Sequence, residues 1–98
     1  MSGAILESAL EKYCCAWARK AHAIDNLKLG NRIGIPDRIF MLNGKTIFIE
    51  FKRLDEVARP IQLHVQNQLR KNGFSVYVVD NKEQFKKIIE DWIKHANP

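Results

Sequence analysis

Asp37, Glu50 and Lys52 are the residues of this chain whose types and spacing could do chemistry. Two carboxylates and an amine gathered at one point can hold a hard divalent cation and keep a positive group beside it, which is equipment for hydrolysing a phosphate ester. Between them lies Asn43-Gly44, flanked by strand-type runs from Arg38 to Asn43 and from Lys45 to Phe51. Asn-Gly between two such runs is the strongest short-range hairpin signal. With Asn43 and Gly44 as the loop, Leu42 faces Lys45, and counting outward along both strands brings Asp37 opposite Glu50. Opposed residues share a face with β-carbons about 5 Å apart. Lys52, two residues past Glu50, points the same way because strand side chains alternate. Carboxylates that close repel by roughly 3 kcal/mol at an effective dielectric near 20, so positive charge belongs between them. Lys52 supplies one charge, and a partly hydrated Mg²⁺ or Mn²⁺ supplies more. The plain alternative is a solvated hairpin end, since E-x-K alone recurs by chance; the cross-strand match to Asp37 argues against it.

Several elements must position this hairpin. From about Ala4 to Lys20, apolar residues recur at Leu6, Leu10, Tyr13, Cys14 and Trp17, a helical period with one buried stripe. Glu7 and Glu11 stand four apart on one side of that helix, from where one can reach toward Asp37 and Glu50, or simply form a solvated flank. Ala23 to Leu29 alternates like a first strand, followed by the loop Gly30-Asn31-Arg32-Ile33-Gly34. Its glycines permit close backbone approach to a ligand, and Arg32 between them suits a phosphate. The loop lacks the Lys-Ser/Thr ending of a P-loop, so no nucleotide cofactor is expected. In the hairpin, Phe40, Leu42, Ile47, Ile49 and Phe51 line one face and Ile39, Met41 and Phe48 the other, as in the middle of a covered sheet.

Arg59-Pro60 opens a second helix that ends at Asn72-Gly73. Its expected inner stripe is Ile61, Val65 and Leu69, with Gln62 and Gln66 at the border. Phe74 to Val79 is strand-like, and Asn81 then caps a third helix with Gln84 three residues on. The stripe of this helix is Phe85, Ile88, Ile89, Trp92 and Ile93, a core face or subunit interface anchored by Trp92.

Ninety-eight residues with 46% apolar and 28% charged composition suit one domain spanning 1–98 with a modest core. A net charge of +5 and a pI near 9.4 favour a polyanionic partner, nucleic acid first. Phosphate contacts are expected from Lys28, Arg32, Arg38, Arg53, Arg59, Arg70 and Lys71, weakening steeply with salt. No recognisable base-reading helix is present. Cys14 and Cys15 are adjacent and cannot readily bridge each other. His22, His64 and His95 stand at no zinc-ligand spacing from them. No apolar run approaches a membrane span, and Met1-Ser2-Gly3 does not begin a signal peptide. A soluble intracellular protein is therefore expected, with no membrane partner.

The ordered set of a helix-one glutamate, Gly34-Ile35-Pro36-Asp37-Arg38, Ile49-Glu50-Phe51-Lys52, Pro60-Ile61-Gln62 and Gly73 to Asp80 resembles a stand-alone, virus-type VRR-NUC domain of the PD-(D/E)xK nuclease superfamily. The resemblance covers nearly the whole chain. It implies an α/β, restriction-endonuclease-like core: a helix, a mixed central sheet of about four strands with a crossover helix, and a C-terminal helix. It implies Asp37, Glu50 and the main-chain carbonyl of Phe51 as metal ligands, Lys52 orienting the attacking water or stabilising the transition state, and Gln62 supporting the site. Glu11 is the preferred helix-one glutamate, since Glu11-Lys12-Tyr13 resembles archaeal Holliday junction resolvases, with Glu7 as the alternative.

The expected function is a metal-dependent, structure-specific DNA endonuclease, a Holliday junction resolvase acting as a homodimer on four-way junctions in a bacterial or phage-infected cytoplasm. With nothing else fused to it, such a chain fits a two-fold dimer that places two centres on symmetry-related strands. Two alternatives stay open: a nuclease acting on flaps or duplex, and a non-catalytic nucleic-acid-binding module in which Asp37, Glu50 and Lys52 form only a salt cluster.

Overall fold

The computed structural model describes residues 6–30 and 32–96, so the expected helix start at Ala4 and Asn31 of the glycine loop lie outside the described residues. The elements run α1 (Glu7–His22), β1 (Asp25–Lys28), β2 (Arg38–Leu42), β3 (Lys45–Phe51), α2 (Pro60–Lys71), β4 (Ser75–Val79) and α3 (Lys82–Ala96). This is the α/β order read from the sequence. The four strands form one sheet in the order β1-β2-β3-β4. The first two pairings are antiparallel and the third, β3 with β4, is parallel. Parallel neighbours need a crossover, and α2 is the crossover.

The hairpin has the expected register. Leu42 pairs with Lys45, Phe40 with Ile47 and Arg38 with Ile49. Asn43 and Gly44 both have positive φ, 50° and 78°, the signature of a type I′ turn whose twist matches the strands it joins. One face of the sheet carries the core. Phe40, Ile47, Ile49, Phe51 and Val79 pack there against Leu10, Cys14 and Ala18 of α1 and Phe85 and Ile89 of α3. Phe85 gathers three aromatic neighbours at ring distances of 5.4 to 6.1 Å, namely Phe40, Trp17 and Phe51. The α3 stripe is therefore a core face, with Ile88, Trp92 and Ile93 packed partly buried around it. Burial pushes the Cys14 thiol up to about 12, so it behaves as a small apolar core residue, and both cysteines are free.

Local details depart from the sequence reading. Leu6 lies just outside α1 and is exposed. Asn81 accepts the Gln84 amide at 2.8 Å as expected of a cap, but the Gln84 side chain returns to the amide of Asp80 rather than to that of Asn81. The larger correction concerns α2. Its buried residues are Gln62 and Gln66, at 6% and 2% exposure, whereas Ile61 of the expected inner stripe is 39% exposed and Val65 and Leu69 are half-buried. The helix is turned so that its amides, not its aliphatic row, meet the sheet. Gln62 explains the turn, because its side chain has polar partners there that no aliphatic residue could satisfy.

Candidate active site

The ends of β2 and β3 nearest α2 bring the expected residues together. The ladder stops at Arg38 and Ile49, and Asp37 lies one residue beyond it, where Oδ2 accepts the Phe51 amide at 2.7 Å. The Asp37 main-chain carbonyl accepts the Leu29 amide at 3.0 Å, so the residue is pinned from both sides. Glu50 and Lys52 follow on the same face. Both are 4% exposed, and Lys52 Nζ lies 3.6 Å from Glu50 Oε2.

Gln62 ties these groups to α2. Its Nε2 donates to Glu50 Oε2 at 2.9 Å, and its Oε1 accepts from both Lys52 Nζ and the Arg59 amide at 2.8 Å. The Arg59 bond also caps the first turn of α2, so the same Gln62 side chain that satisfies the helix start orients the buried ion pair. Glu50 Oε1, by contrast, is buried with no hydrogen-bond partner.

Burial drives the electrostatics. Desolvation, then the charge of Asp37, pushes the Glu50 carboxyl up to about 7, against the opposing pull of Lys52. Asp37 is raised too, by desolvation first, with the Phe51 amide pulling it back. Lys52 alone does not offset the burial of Glu50 beside Asp37. A hard cation would lower both values and give the orphaned Oε1 a partner, so the donor set fits a divalent metal held by Asp37 and Glu50. Among the described residues no group of three or more His, Cys, Asp or Glu side chains forms a ready-made metal cage.

Helix α1 offers two further carboxylates with different surroundings. Glu11 Oε2 accepts from Arg38 Nε at 2.6 Å and lies 3.6 Å from Lys28 Nζ. Arg38 Nη1 also donates to Asn26 at 3.0 Å, so Glu11 sits inside a local cation network rather than on a solvated flank. Glu7 has no such neutralisation. It is hydrogen-bonded to Glu56, which with burial raises its carboxyl, and it feels the charges of Lys52 and Asp37. Glu50 in turn feels Glu7. Glu56 gave no sequence signal; it is positioned by the turn in which its Oε1 accepts the Arg53 amide at 3.0 Å.

A cleft of about 350 Å³ opens over the carboxylates, lined by Lys28, Arg32, Ile33, Pro36, Asp37, Glu50, Arg59 and Gln62 among others. Three of the expected phosphate contacts, Lys28, Arg32 and Arg59, thus surround the acidic pair. Arg38 does not: it lies on the opposite side of its strand from Asp37 and is held by Glu11 and Asn26. Arg53 is exposed beside Glu56, and Arg70 donates to the Val76 carbonyl at 2.9 Å. Gly34, expected to admit a ligand, instead admits α2. At φ +86° a β-carbon there would meet the Ile61 carbonyl oxygen at 2.8 Å, whereas Gly30 has open space around it.

No family model matches the chain. It is 36% identical over 81 residues to a protein of Acyrthosiphon pisum secondary endosymbiont phage 1 named "Putative nuclease p44", covering 81% of this chain and 87% of that one. It also matches a solved structure described as "VRR_NUC domain", at a TM-score of 0.77 and 32% identity over 86% of this chain and 94% of the other.

Proposed function

This chain belongs to the VRR-NUC family, and on that premise we propose that its cleft hydrolyses DNA phosphodiester bonds with Mg²⁺ or Mn²⁺ bound, as a structure-specific endonuclease. The carrying observation is the buried, unpartnered Glu50 Oε1 in a residue that lines, with the Asp37 carboxylate, a cleft rimmed by Lys28, Arg32 and Arg59. A polyanion enters such a rim readily, and an acidic floor under it makes sense when a cation intervenes.

Asp37, Glu50 and the main-chain carbonyl of Phe51 would hold the metal, with Glu7 or Glu11 completing the set from the helix. When bound, the metal acidifies water and neutralises charge on the scissile phosphate. Lys52 stabilises negative charge that builds on the phosphoryl oxygens. Its ammonium is preorganised for this by Gln62 Oε1, so no reorientation is needed as charge develops. Gln62 keeps Glu50 and Lys52 from collapsing onto each other, since it bonds to both at their present 3.6 Å separation. Lys28, Arg32 and Arg59 hold the flanking phosphates, and Arg53 extends the track. As a homodimer the chain would present paired centres to a four-way junction, which is the substrate proposed here.

A labelled four-way junction, a flap and a linear duplex, incubated with Mg²⁺, Mn²⁺ or EDTA beside Lys52→Ala and Asp37→Ala variants, test this reading. Cleavage of the junction with metal, lost in both variants, is expected. Cutting of flap or duplex alone keeps the chemistry and removes the resolvase assignment. The closed Lys52–Gln62–Glu50 hydrogen-bond chain favours the second reading, a non-catalytic DNA-binding module with a structural salt cluster. DNA binding without cleavage under any metal would establish that alternative. Light scattering at the mass of one chain would remove the dimer.

A further inference from the structure

We propose that Ile33 is a wedge that inserts into the base stack of DNA held in the cleft, making the chain act preferentially where stacking is already broken. The proposal rests on the reading of the cleft as a DNA phosphodiesterase site and names how that site selects structure.

Ile33 occupies a corner of a tight turn in which the Ile35 amide bonds to the Arg32 carbonyl at 3.3 Å. Such corners ordinarily take Gly, Pro, Asn, Asp or Ser, each of which helps the chain bend or stay solvated. A β-branched aliphatic residue does neither. Here it is 72% exposed, so folding gains little from it. The turn itself is firmly supported. Gly34, the next residue, has φ +86° and packs so closely on α2 that a β-carbon would lie 2.8 Å from the Ile61 carbonyl oxygen and 3.0 Å from Val65 Cγ2. Ile33 is therefore an apolar tip on a fixed base.

Its surroundings identify the ligand surface. Ile33 lines the same cleft as Asp37 and Glu50, between Arg32 and Gly34 and together with Lys28 and Arg59. Those cations bring phosphates to the rim. The apolar surface that a phosphate-bound strand can offer an aliphatic tip is the face of a base, and aliphatic residues inserted at a base step unstack and kink the helix. An intact duplex resists that insertion, whereas a branch point or nick has an open step. Leu27 is also exposed, at 57%, but lies on β1 and does not line the cleft, so it serves as a control.

The test uses the full chain and DNA carrying 2-aminopurine, a base that brightens on unstacking, beside the branch of a four-way junction and at the centre of a duplex. Binding in EDTA should brighten the probe beside the branch, and not the one at the duplex centre, with the parent and with Leu27→Ser; with Ile33→Ser neither should brighten. In Mg²⁺ or Mn²⁺, Ile33→Ser should cut a pre-opened mismatched step about tenfold more slowly than the parent, while cutting the fully stacked duplex at close to the parental rate. Equal brightening beside the branch by Ile33→Ser, or an equal loss on the stacked and the pre-opened substrates, overturns the wedge. If the parent cuts nothing, the nuclease reading falls, and the fluorescence comparison in EDTA still decides the wedge.

Discussion

Asp37 accepts the Phe51 amide at 2.7 Å across the end of the hairpin, so one site carboxylate is held by the backbone immediately after the other, Glu50. That bond leaves the two acids fixed near each other in a largely buried place. Burial raises the carboxyls of both, and the charge of Asp37 adds to the rise at Glu50.

Stability of the metal-free chain should fall as pH rises. Glu50 has an ordinary value of 4.5 and is pushed up to about 7 in the folded chain, so the folded state binds its proton more tightly than the unfolded state. The stabilisation is complete below 4.5 and is lost as pH passes through about 7. Asp37 moves in the same direction. The Glu50 shift corresponds to roughly 3 kcal/mol as an upper figure. Thermal melts in EDTA between pH 4.5 and pH 8 should show a declining midpoint, flattened in Glu50→Gln; a flat parental profile would contradict the burial argument.

Divalent cations should reverse that loss. At a free concentration a hundredfold above its dissociation constant, a site-bound ion stabilises by about 2.7 kcal/mol. The melting midpoint near pH 8 should rise with Mn²⁺ or Mg²⁺ in the parent and stay unchanged in Asp37→Asn and Glu50→Gln. An equal rise in all three would mean that the ion binds elsewhere.

The two helix carboxylates should separate by readout. Glu11→Gln breaks the 2.6 Å bond from Arg38 and should cost roughly 1–3 kcal/mol in urea unfolding while leaving Mn²⁺ stabilisation intact. Glu7→Gln should weaken Mn²⁺ stabilisation with little loss of metal-free stability, because Glu7 is already crowded by Glu56 and Asp37. The reverse pattern would restore Glu11 as the helix-one ligand.

Removal of the Gln62 side chain should be costly twice over. Gln62→Ala leaves Lys52 Nζ and Glu50 Oε2 without their bridging partner and uncaps the Arg59 amide, for roughly 1–3 kcal/mol. Urea unfolding measures that part. Cleavage assays at saturating DNA should then show a lower turnover than Gln66→Ala, whose side chain is equally buried but bonds to neither group.

Gly34→Ala should destabilise by roughly 1–3 kcal/mol, since it combines a positive φ with a backbone clash. Gly30→Ala, with open space at its β-carbon, should be nearly neutral. Denaturant midpoints of the two variants compare them directly.

The sequence by itself determined the hairpin, its register and the order of elements. Asn43-Gly44 permits few turns, strand alternation has a period of two, and apolar periodicity separates helices from strands, so Asp37, Glu50 and Lys52 were bound to share a face. These are local rules, satisfied within a few residues. Only the tertiary structure decided which side of α2 faces the sheet, because the rotation of a helix depends on partners far along the chain. The aliphatic row of Ile61, Val65 and Leu69 looked like the inner stripe until Gln62 found Glu50 and Lys52. The same holds for Glu7 and Glu11. Spacing puts them on one side of α1, and their difference comes from Arg38 and Lys28 on one hand and Glu56 on the other, residues brought near only by the packing of the helix over the sheet.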